Sequence, residues 1–231
     1  MADIAVLGAG IAGVTTAYQL TALGHDVTVY DRQRYAAMET SFANGGQLSA
    51  SNAEVWTALP TVLKGLKWAL RKDAPLLVRP APSWHKISWM AGFLAAIPRY
   101  EANTIETARM AIRARAILAE MAEVTGAAYD RRDCGILHFY ETHAGLDGAR
   151  RVNGLLNEAG VGRREVGADE VRAICPELAA DPVGGFFTPS DATGDIHLFA
   201  AGVARWLERQ GTAFEMGAEV RARACGGRVE V

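Results

Sequence analysis

Three glycines near the N-terminus have the spacing of a phosphate-binding turn. Gly8, Gly10 and Gly13 form the pattern GxGxxG directly after an apolar run from Ile4 to Leu7. In such a turn the first glycine permits a tight bend, the second lets the backbone approach a pyrophosphate, and the third lets helix and strand pack closely. The unpaired N–H groups and the positive end of the following helix stabilise a diphosphate without a cationic side chain. The motif therefore predicts a dinucleotide site.

An acidic residue follows at the position where such sites hold a ribose. Asp31 lies 23 positions after Gly8, directly behind a second predicted strand from Asp26 to Tyr30. A carboxylate there accepts hydrogen bonds from both ribose hydroxyls and disfavours a 2′-phosphate. The elements that must position these groups are a strand buried on both faces, a helix that ends at Gly24, and this second strand. Their order is that of a dinucleotide-binding βαβ unit.

A polar loop lies close behind the acidic residue. Residues 39–49 read ETSFANGGQLS, and they can supply the side chains of Ser41 and Asn44 and the backbone of residues 45–47 to a pyrophosphate and a ribityl chain. The alternative is a plain surface turn, because Asn-Gly-Gly is a common turn signal. The glycine motif alone does not separate FAD from NAD, since both present an adenosine diphosphate. The loop favours FAD.

Composition narrows the classes of partner and site. Lys and Arg number 24 against 26 Asp and Glu, so a nucleic-acid partner is not supported. No stretch has the roughly 18 apolar residues that cross a bilayer, and the N-terminus lacks the basic segment of a signal peptide, so we expect a cytoplasmic protein. The isolated histidines and the three cysteines show no metal-binding spacing, and the cysteines are predicted to be buried thiols in a reducing compartment.

The middle of the chain is mainly helical in pattern, from about residue 52 to residue 150, with the clearest helix at 105–125. Tryptophans at positions 56, 68, 84 and 89 lie among basic residues in this region. Two interpretations compete: a peripheral membrane or quinone-side surface, or a solvated helix face with aromatic core anchors. Prolines at positions 75, 80 and 82 interrupt the stretch and favour the second interpretation.

A helix and a strand near the C-terminus extend the first domain. The helix begins at Asp195 and ends at Gly211, and the strand at 212–216 is expected to return the chain to the dinucleotide-binding sheet. Residues 221–231 would begin a small β-meander. The predicted domains are a discontinuous nucleotide-binding domain at 1–52 and 190–231, and an inserted domain at 53–189.

Two long stretches carry a family resemblance. GAGIAGVTTAYQLTALGHDVTVYDR and ETSFANGGQLS resemble the start of the D-amino acid dehydrogenases, within the wider family of D-amino acid, glycine and sarcosine oxidases. The likeness continues through LKWALRKDAPLLVRP and TGDIHLFAAGVARWLERQG. It implies an α/β fold: a Rossmann-type FAD-binding parallel sheet, discontinuous, with an inserted α+β substrate domain. Those enzymes are much longer, so the C-terminal part of the fold is expected to be missing.

The resemblance implies cofactor contacts and no catalytic residue. The polar loop would follow the FAD diphosphate toward the flavin ring, while Arg32 and the backbone of Val220 would lie near the adenine. The substrate carboxylate clamp would lie in the missing part. The predicted cofactor-binding residues are Gly8, Ala9, Gly10, Ile11, Ala12, Gly13, Asp31, Arg32, Ser41, Asn44, Gly45, Gly46, Gln47, Leu48 and Val220.

Two further strands are predicted, in the runs GILHFY at 135–140 and GGFFT at 184–188. The resemblance implies that both belong to an antiparallel sheet that walls the substrate cavity. His138 either faces that cavity or is a half-buried strand histidine, and the second interpretation is favoured.

The function implied by the resemblance is oxidative deamination of a D-amino acid. Hydride transfer from Cα to the flavin would give an imino acid, which water hydrolyses to a 2-oxo acid and ammonia, with the electrons passing to a quinone or respiratory acceptor. The implied location is cytoplasmic, with peripheral contact on the inner face of the cell membrane. The alternatives are another amine substrate, namely D-hydroxyproline, glycine or sarcosine, or a noncatalytic FAD-binding fragment. An NAD-binding regulatory domain is disfavoured by the polar loop.

Overall fold

The computed structural model describes residues 1–69, 73, 81–221, 223–225 and 228–230. The chain divides into two compact units. The first unit comprises Met1–Leu48, Arg115–Cys134 and Ala192–Val231, and the second comprises Ser49–Ala114 and Gly135–Asp191. In chain order the strands and helices are β1 (Asp3–Leu7), α1 (Ile11–Ala22), β2 (Asp26–Asp31), β3 (Gln47–Leu48), α2 (Leu59–Ala69), α3 (Trp84–Ala96), α4 (Tyr100–Thr125), β4 (Ile136–Tyr140), α5 (His143–Glu158), β5 (Arg164–Gly167), α6 (Ala168–Ile174), β6 (Gly184–Thr188), β7 (Ala192–Thr193), α7 (Ile196–Arg209), β8 (Ala213–Met216), β9 (Arg223–Cys225) and β10 (Arg228–Glu230).

A parallel sheet forms the centre of the first unit. β1 pairs with β2, with Val6 opposite Val29, and β2 pairs with β8, with Val29 opposite Phe214; both pairs are parallel. The sequence predicted that the strand after the last long helix returns to this sheet, and the pairing of β2 with β8 confirms that prediction. The Rossmann-type sheet and its discontinuous course along the chain are therefore confirmed.

Two helices bury apolar faces in the first unit. Val14 and Ala17 of α1 are fully buried, as are Phe199, Val203 and Leu207 of α7. All five belong to one hydrophobic cluster. Each large apolar side chain buried in this way contributes about 1.5–3 kcal/mol of stability. The cluster fixes α1 against the sheet and thereby sets the position of the turn that precedes α1.

The second unit contains an antiparallel sheet in the order β4-β6-β5. β4 and β6 are the two further strands that the sequence predicted, and their antiparallel pairing confirms both. Helix α5 overlaps the end of the stretch predicted to be mainly helical, but it was not predicted as a separate helix. Its residues Leu146 and Ala149 are buried together with Phe186 of β6. A mixed α and β unit of this kind matches the expected α+β insertion.

Residues 115–134 lie in the first unit, whereas the sequence analysis placed them in the inserted domain. Met121, Ala127 and Tyr129 of this segment are buried in the hydrophobic cluster of the first unit. The periodicity of α4 indicated an apolar face but gave no information about which core buries it.

Two predictions about buried side chains are wrong. Trp84 and Trp89 are 81% and 62% exposed, and Trp56 is exposed as well, so these tryptophans are not core anchors. Cys134 is exposed rather than buried, and Cys175 is half-buried. Both predictions of burial were based on residue type alone, because the sequence did not show which element would cover these tryptophan and cysteine side chains.

The stretch at 70–72 and 74–80, which carries part of the family resemblance, lies outside the described residues.

Helix α3 is rich in apolar residues but buries none of them. All of its residues are described, and every one is at least partly exposed. The rings of Trp89 and Phe93 lie 5.5 Å apart on this helix. Within the described part of the chain, none of the helices combines the length and the apolar character that a bilayer crossing requires.

Candidate functional site

The turn between β1 and α1 depends on glycine at two of its positions. Gly8 has a φ of +104°, a left-handed conformation that side chains rarely adopt. Its N–H donates to the Tyr30 carbonyl at 2.8 Å, which ties the turn to β2. A Cβ on Gly13 would lie 1.7 Å from the Gly8 carbonyl oxygen. The helix therefore approaches the strand as closely as a glycine allows, which was the role that the spacing predicted for this residue.

The first turn of α1 has no capping or acidic side chain of its own. Gly10 is the N-cap in an extended conformation, and the helix has neither a side-chain cap nor an acidic residue in its first turn. The Ile11 N–H donates to the Ser41 hydroxyl at 3.0 Å, and a Cβ on Gly10 would lie 3.2 Å from that oxygen. The polar loop thus contacts the helix N-terminus, and the positive end of α1 has no acidic residue of its own to offset it.

Asp31 is held against the same turn by two backbone donors. The Ala9 N–H donates to its Oδ2 at 2.6 Å, and the Gln33 N–H donates to its Oδ1 at 2.7 Å. Each carboxylate oxygen accepts one of these bonds and keeps capacity for another donor. The adjacent Arg32 pairs with Glu39 at 2.5 Å in an exposed position. Hydrogen bonds from Gln33 and Arg32 lower the pKa of Glu39.

The segment that contains Val220 follows β8 and lies at the end of β2. The Gly217 N–H donates to the Gln33 carbonyl at 2.9 Å, and the Ala218 N–H donates to the Asp31 carbonyl at 3.0 Å. Val220 is half-buried two residues further on. The structure therefore brings the chain around Val220 close to Asp31, although these residues are far apart in sequence.

The polar loop is hydrogen-bonded to the segment that contains β7 and precedes α7. The Gly46 N–H donates to Asn44 Oδ1 at 2.7 Å, and the Gly194 N–H donates to the Gly46 carbonyl at 2.8 Å. Gly46 has a φ of +58°, and a Cβ on it would lie 2.7 Å from the Gly194 oxygen. Gln47 and Leu48 form β3, which pairs antiparallel with β7.

A cavity of about 400 Å³ lies beside this loop in the first unit. Four predicted residues line it, namely Ser41, Asn44, Gly45 and Gly46. The glycine turn, Asp31, Arg32, Gln47, Leu48 and Val220 do not line it.

Four ionisable residues that the sequence analysis did not select as site residues also line the cavity: Asp130, Arg132, Asp195 and His197. His197 Nδ1 lies 3.1 Å from the Ala37 carbonyl, and its ring lies edge-on to Phe42 at 4.9 Å. Asp195 was predicted as a helix start, and its carboxylate accepts from the Leu198 N–H at 2.9 Å. The sequence analysis used the TGDIHLF stretch for the start of a helix and for the family resemblance, and did not identify its residues as part of a cavity lining.

Comparisons with known proteins identify the family of this chain and its fold. A sequence model of the family described as FAD dependent oxidoreductase matches residues 3–231. D-amino acid dehydrogenase 3 of Mesorhizobium japonicum is 56% identical over 93% of this chain and 52% of its own length. A D-amino acid dehydrogenase of Sinorhizobium medicae is 40% identical over 98% of this chain and 56% of its own length. The chain thus spans about half the length of these curated relatives.

Solved structures share the fold at much lower identity. A glycine oxidase from Bacillus cereus superposes with a TM-score of 0.63 at 18% identity, covering 97% of this chain and 48% of the other. An L-proline dehydrogenase from P. horikoshii gives a TM-score of 0.67 at 17% identity, covering 95% and 45%. At these identities the likeness supports the fold alone. Because the family model matches nearly the whole chain, the protein belongs to the FAD-dependent oxidoreductase family, whose cofactor is FAD.

Proposed function

We propose that the first unit binds FAD with the adenosine diphosphate half against the turn between β1 and α1. The observation that carries this proposal is the pair of backbone hydrogen bonds to Asp31, from Ala9 at 2.6 Å and from Gln33 at 2.7 Å. They set the carboxylate beside the N-terminus of α1. In this proposal residues 8–13 hold the diphosphate through backbone N–H groups, and Asp31 binds the ribose hydroxyls.

The polar loop takes the next part of the cofactor in this proposal. Ser41, Asn44 and residues 45–48 follow the diphosphate toward the flavin ring, while Arg32 and the Val220 backbone lie at the adenine. Two observations support the loop assignment: Ser41 contacts the first turn of α1, and the cavity beside the loop has the size of an ordinary small-molecule site.

We infer that the reaction served by this cofactor is oxidation of a D-amino acid to a 2-oxo acid and ammonia, with a quinone or another respiratory acceptor taking the electrons. The support is the name D-amino acid dehydrogenase that the relatives from Mesorhizobium and Sinorhizobium carry. Bound FAD supplies the electron-accepting chemistry. The protein's part is to hold the cofactor, align the substrate and exclude water. We assign the first unit to the cofactor and the second unit to the substrate side.

The test is the anaerobic response of bound flavin to amino acids. The 231-residue chain is mixed with FAD, desalted, and exposed without oxygen to a panel of D- and L-amino acids while its visible absorption is recorded. We expect bleaching with D-amino acids and none with their L-enantiomers. Bleaching by glycine or sarcosine alone would transfer the assignment to another amine. Bound flavin that no amine bleaches would make this chain a noncatalytic FAD-binding fragment.

We also propose that α3 contacts a membrane surface peripherally. Trp84 and Trp89 are largely exposed, together with Ile87, Met90 and Leu94. Tryptophan and aliphatic side chains on one short helix favour the boundary between lipid headgroups and acyl chains. Such a contact would place the protein beside a membrane-held quinone.

Vesicle binding tests this contact. The chain is expected to co-sediment with vesicles of phosphatidylglycerol and phosphatidylethanolamine, and the double change Trp84→Ser and Trp89→Ser is expected to lower the partition coefficient at least roughly tenfold. Trp56→Ser is the matched control, because Trp56 is 79% exposed but lies outside α3. Equal sedimentation of the double variant and the unaltered chain would exclude α3 as the contact.

A further inference from the structure

The second unit has a cavity of its own, of about 380 Å³. A volume of this size is typical of small-molecule sites. Arg163 and His138 line it, together with Ser51, Glu54 and Trp56. Asn52 and Tyr140 also line it, and the other lining residues come from α5 and are small or aliphatic: Gly145, Gly148, Ala149 and Val152.

Arg163 is a buried cation with unused donor capacity. It is only 3% exposed, and its buried Nε has no hydrogen-bond partner among the described residues. The guanidinium lies 4.7 Å from the centre of the Phe186 ring. Within the described residues it takes part in no ion pair. A buried charge without a paired anion is costly, whereas a bound carboxylate would supply acceptors for the planar donor fork.

The backbone holds Arg163 in a fixed position. Its N–H donates to Asn157 Oδ1 at 2.8 Å, and its carbonyl accepts from Asn157 Nδ2 at 2.7 Å. Both bonds come from one side chain on α5, so the backbone of this arginine, which directly precedes β5, is held in a defined position. This preorganisation lowers the cost of ordering the arginine when a ligand binds.

Among the described residues that line this cavity, Arg163 is the one that carries a positive charge. Ser51 Oγ lies 3.1 Å from His138 Nε2. Burial, and then the charge of Arg163, lower the pKa of His138, so the imidazole is neutral at neutral pH. Asp191 does not line the cavity. It is fully buried, and its carboxylate accepts from the N–H groups of Ala50 at 3.0 Å and Ser51 at 3.2 Å. That carboxylate is engaged in holding the chain around Ser51.

We propose that this cavity binds the carboxylate of a small organic acid, with Arg163 as its anchor. The remaining lining accommodates a short aliphatic chain, since Trp56, Ala149 and Val152 are apolar and the two glycines leave space. The shared chemistry is that of an amino acid and of the corresponding 2-oxo acid. The inference does not rest on the proposed flavin function, because every residue in it belongs to the second unit. A chain that fails to retain FAD leaves it unchanged.

Calorimetric titration of the full chain without FAD tests the proposal, with D-alanine, pyruvate and D-alaninamide as probes. We expect saturable binding of D-alanine, of pyruvate or of both, and the acid that binds identifies the source. D-alaninamide, which lacks the carboxylate, is expected to bind at least about tenfold more weakly than D-alanine wherever D-alanine binds. Absence of binding by both acids, or binding of the amide equal to that of D-alanine, overturns the proposal.

Two pairs of variants locate the site. Arg163→Gln is expected to weaken binding at least about tenfold, whereas Arg164→Gln is expected to leave it unchanged, because Arg164 is exposed and paired with Glu170 at 2.6 Å. Gly148→Phe fills the cavity from α5 without a clash, since a Cβ there meets nothing within 4 Å. Gly154→Phe is its control on the same helix outside the cavity, also with nothing within 4 Å.

The second pair keeps the proposal testable if Arg163→Gln fails to fold. Gly148→Phe is then expected to abolish binding while Gly154→Phe retains it. Unchanged binding in Gly148→Phe contradicts the assignment of the ligand to this cavity.

Discussion

Replacing Gly13 with alanine is expected to abolish FAD retention and to destabilise the first unit. The added Cβ lies 1.7 Å from the Gly8 carbonyl oxygen and 2.9 Å from its carbonyl carbon. Both are backbone atoms, so no side-chain rotation relieves the contact. α1 must move away from β1, and the N–H groups that receive the diphosphate move with it. Overpacking of this kind costs about 3 kcal/mol.

Gly154→Ala is the matched control for this change. The same methyl group is added to a helix, at a position where nothing lies within 4 Å of it. Its effect on the free energy of unfolding is expected to be neutral or stabilising, by up to about 1 kcal/mol. Urea unfolding and the absorption spectrum of desalted protein measure both effects. Flavin retention by Gly13→Ala equal to that of the unaltered chain would mean that the turn does not carry the cofactor.

Replacing Asp31 with asparagine is expected to weaken FAD binding about a hundredfold. The carboxylate accepts from the Ala9 and Gln33 N–H groups through different oxygens. An amide offers one acceptor oxygen, so its NH₂ group must face one of these donors. The substitution also removes the negative charge that would accept hydrogen bonds from the ribose hydroxyls. Charge-assisted hydrogen bonds of this kind contribute about 3 kcal/mol, which corresponds to that change in dissociation constant.

Asp26→Asn is the control, because Asp26 lies at the opposite end of the same strand and is exposed. Titration of each variant with FAD, followed by flavin fluorescence, gives the dissociation constants. We expect Asp26→Asn to match the unaltered chain. A similar loss in both variants would indicate a general effect of charge and would remove the specific role of Asp31.

Local sequence signals predicted most of the elements that form the proposed cofactor site. The glycine spacing predicted the turn, because the positive φ of Gly8 and the close approach at Gly13 are requirements that only glycine meets. The apolar run from Ile4 to Leu7 predicted β1, but the prediction that this strand is buried on both faces is wrong, because β1 lies at the edge of the described sheet and Leu7 is 50% exposed. Asp195 marked the start of α7, where it accepts the Leu198 N–H.

Apart from the pairings of β2 with β8 and of β4 with β6, features that depend on contacts far apart in the chain were not predicted. The cavity of the second unit is lined by residues that are far apart in sequence, such as Ser51, His138 and Arg163. Arg163 follows a glycine and precedes another arginine, so its sequence neighbours give no sign of its burial. The exposure of Trp84 and Trp89 was not predicted, because large aromatic side chains are usually buried against another element.

The most direct test of the central claim is the amount of flavin that the 231-residue chain retains after it is mixed with FAD and desalted. Binding at the turn between β1 and α1 predicts visible flavin bands at close to one FAD per chain, lost in Gly13→Ala and kept in Gly154→Ala. Absence of flavin from the unaltered, folded chain would contradict the claim that its first unit holds the cofactor.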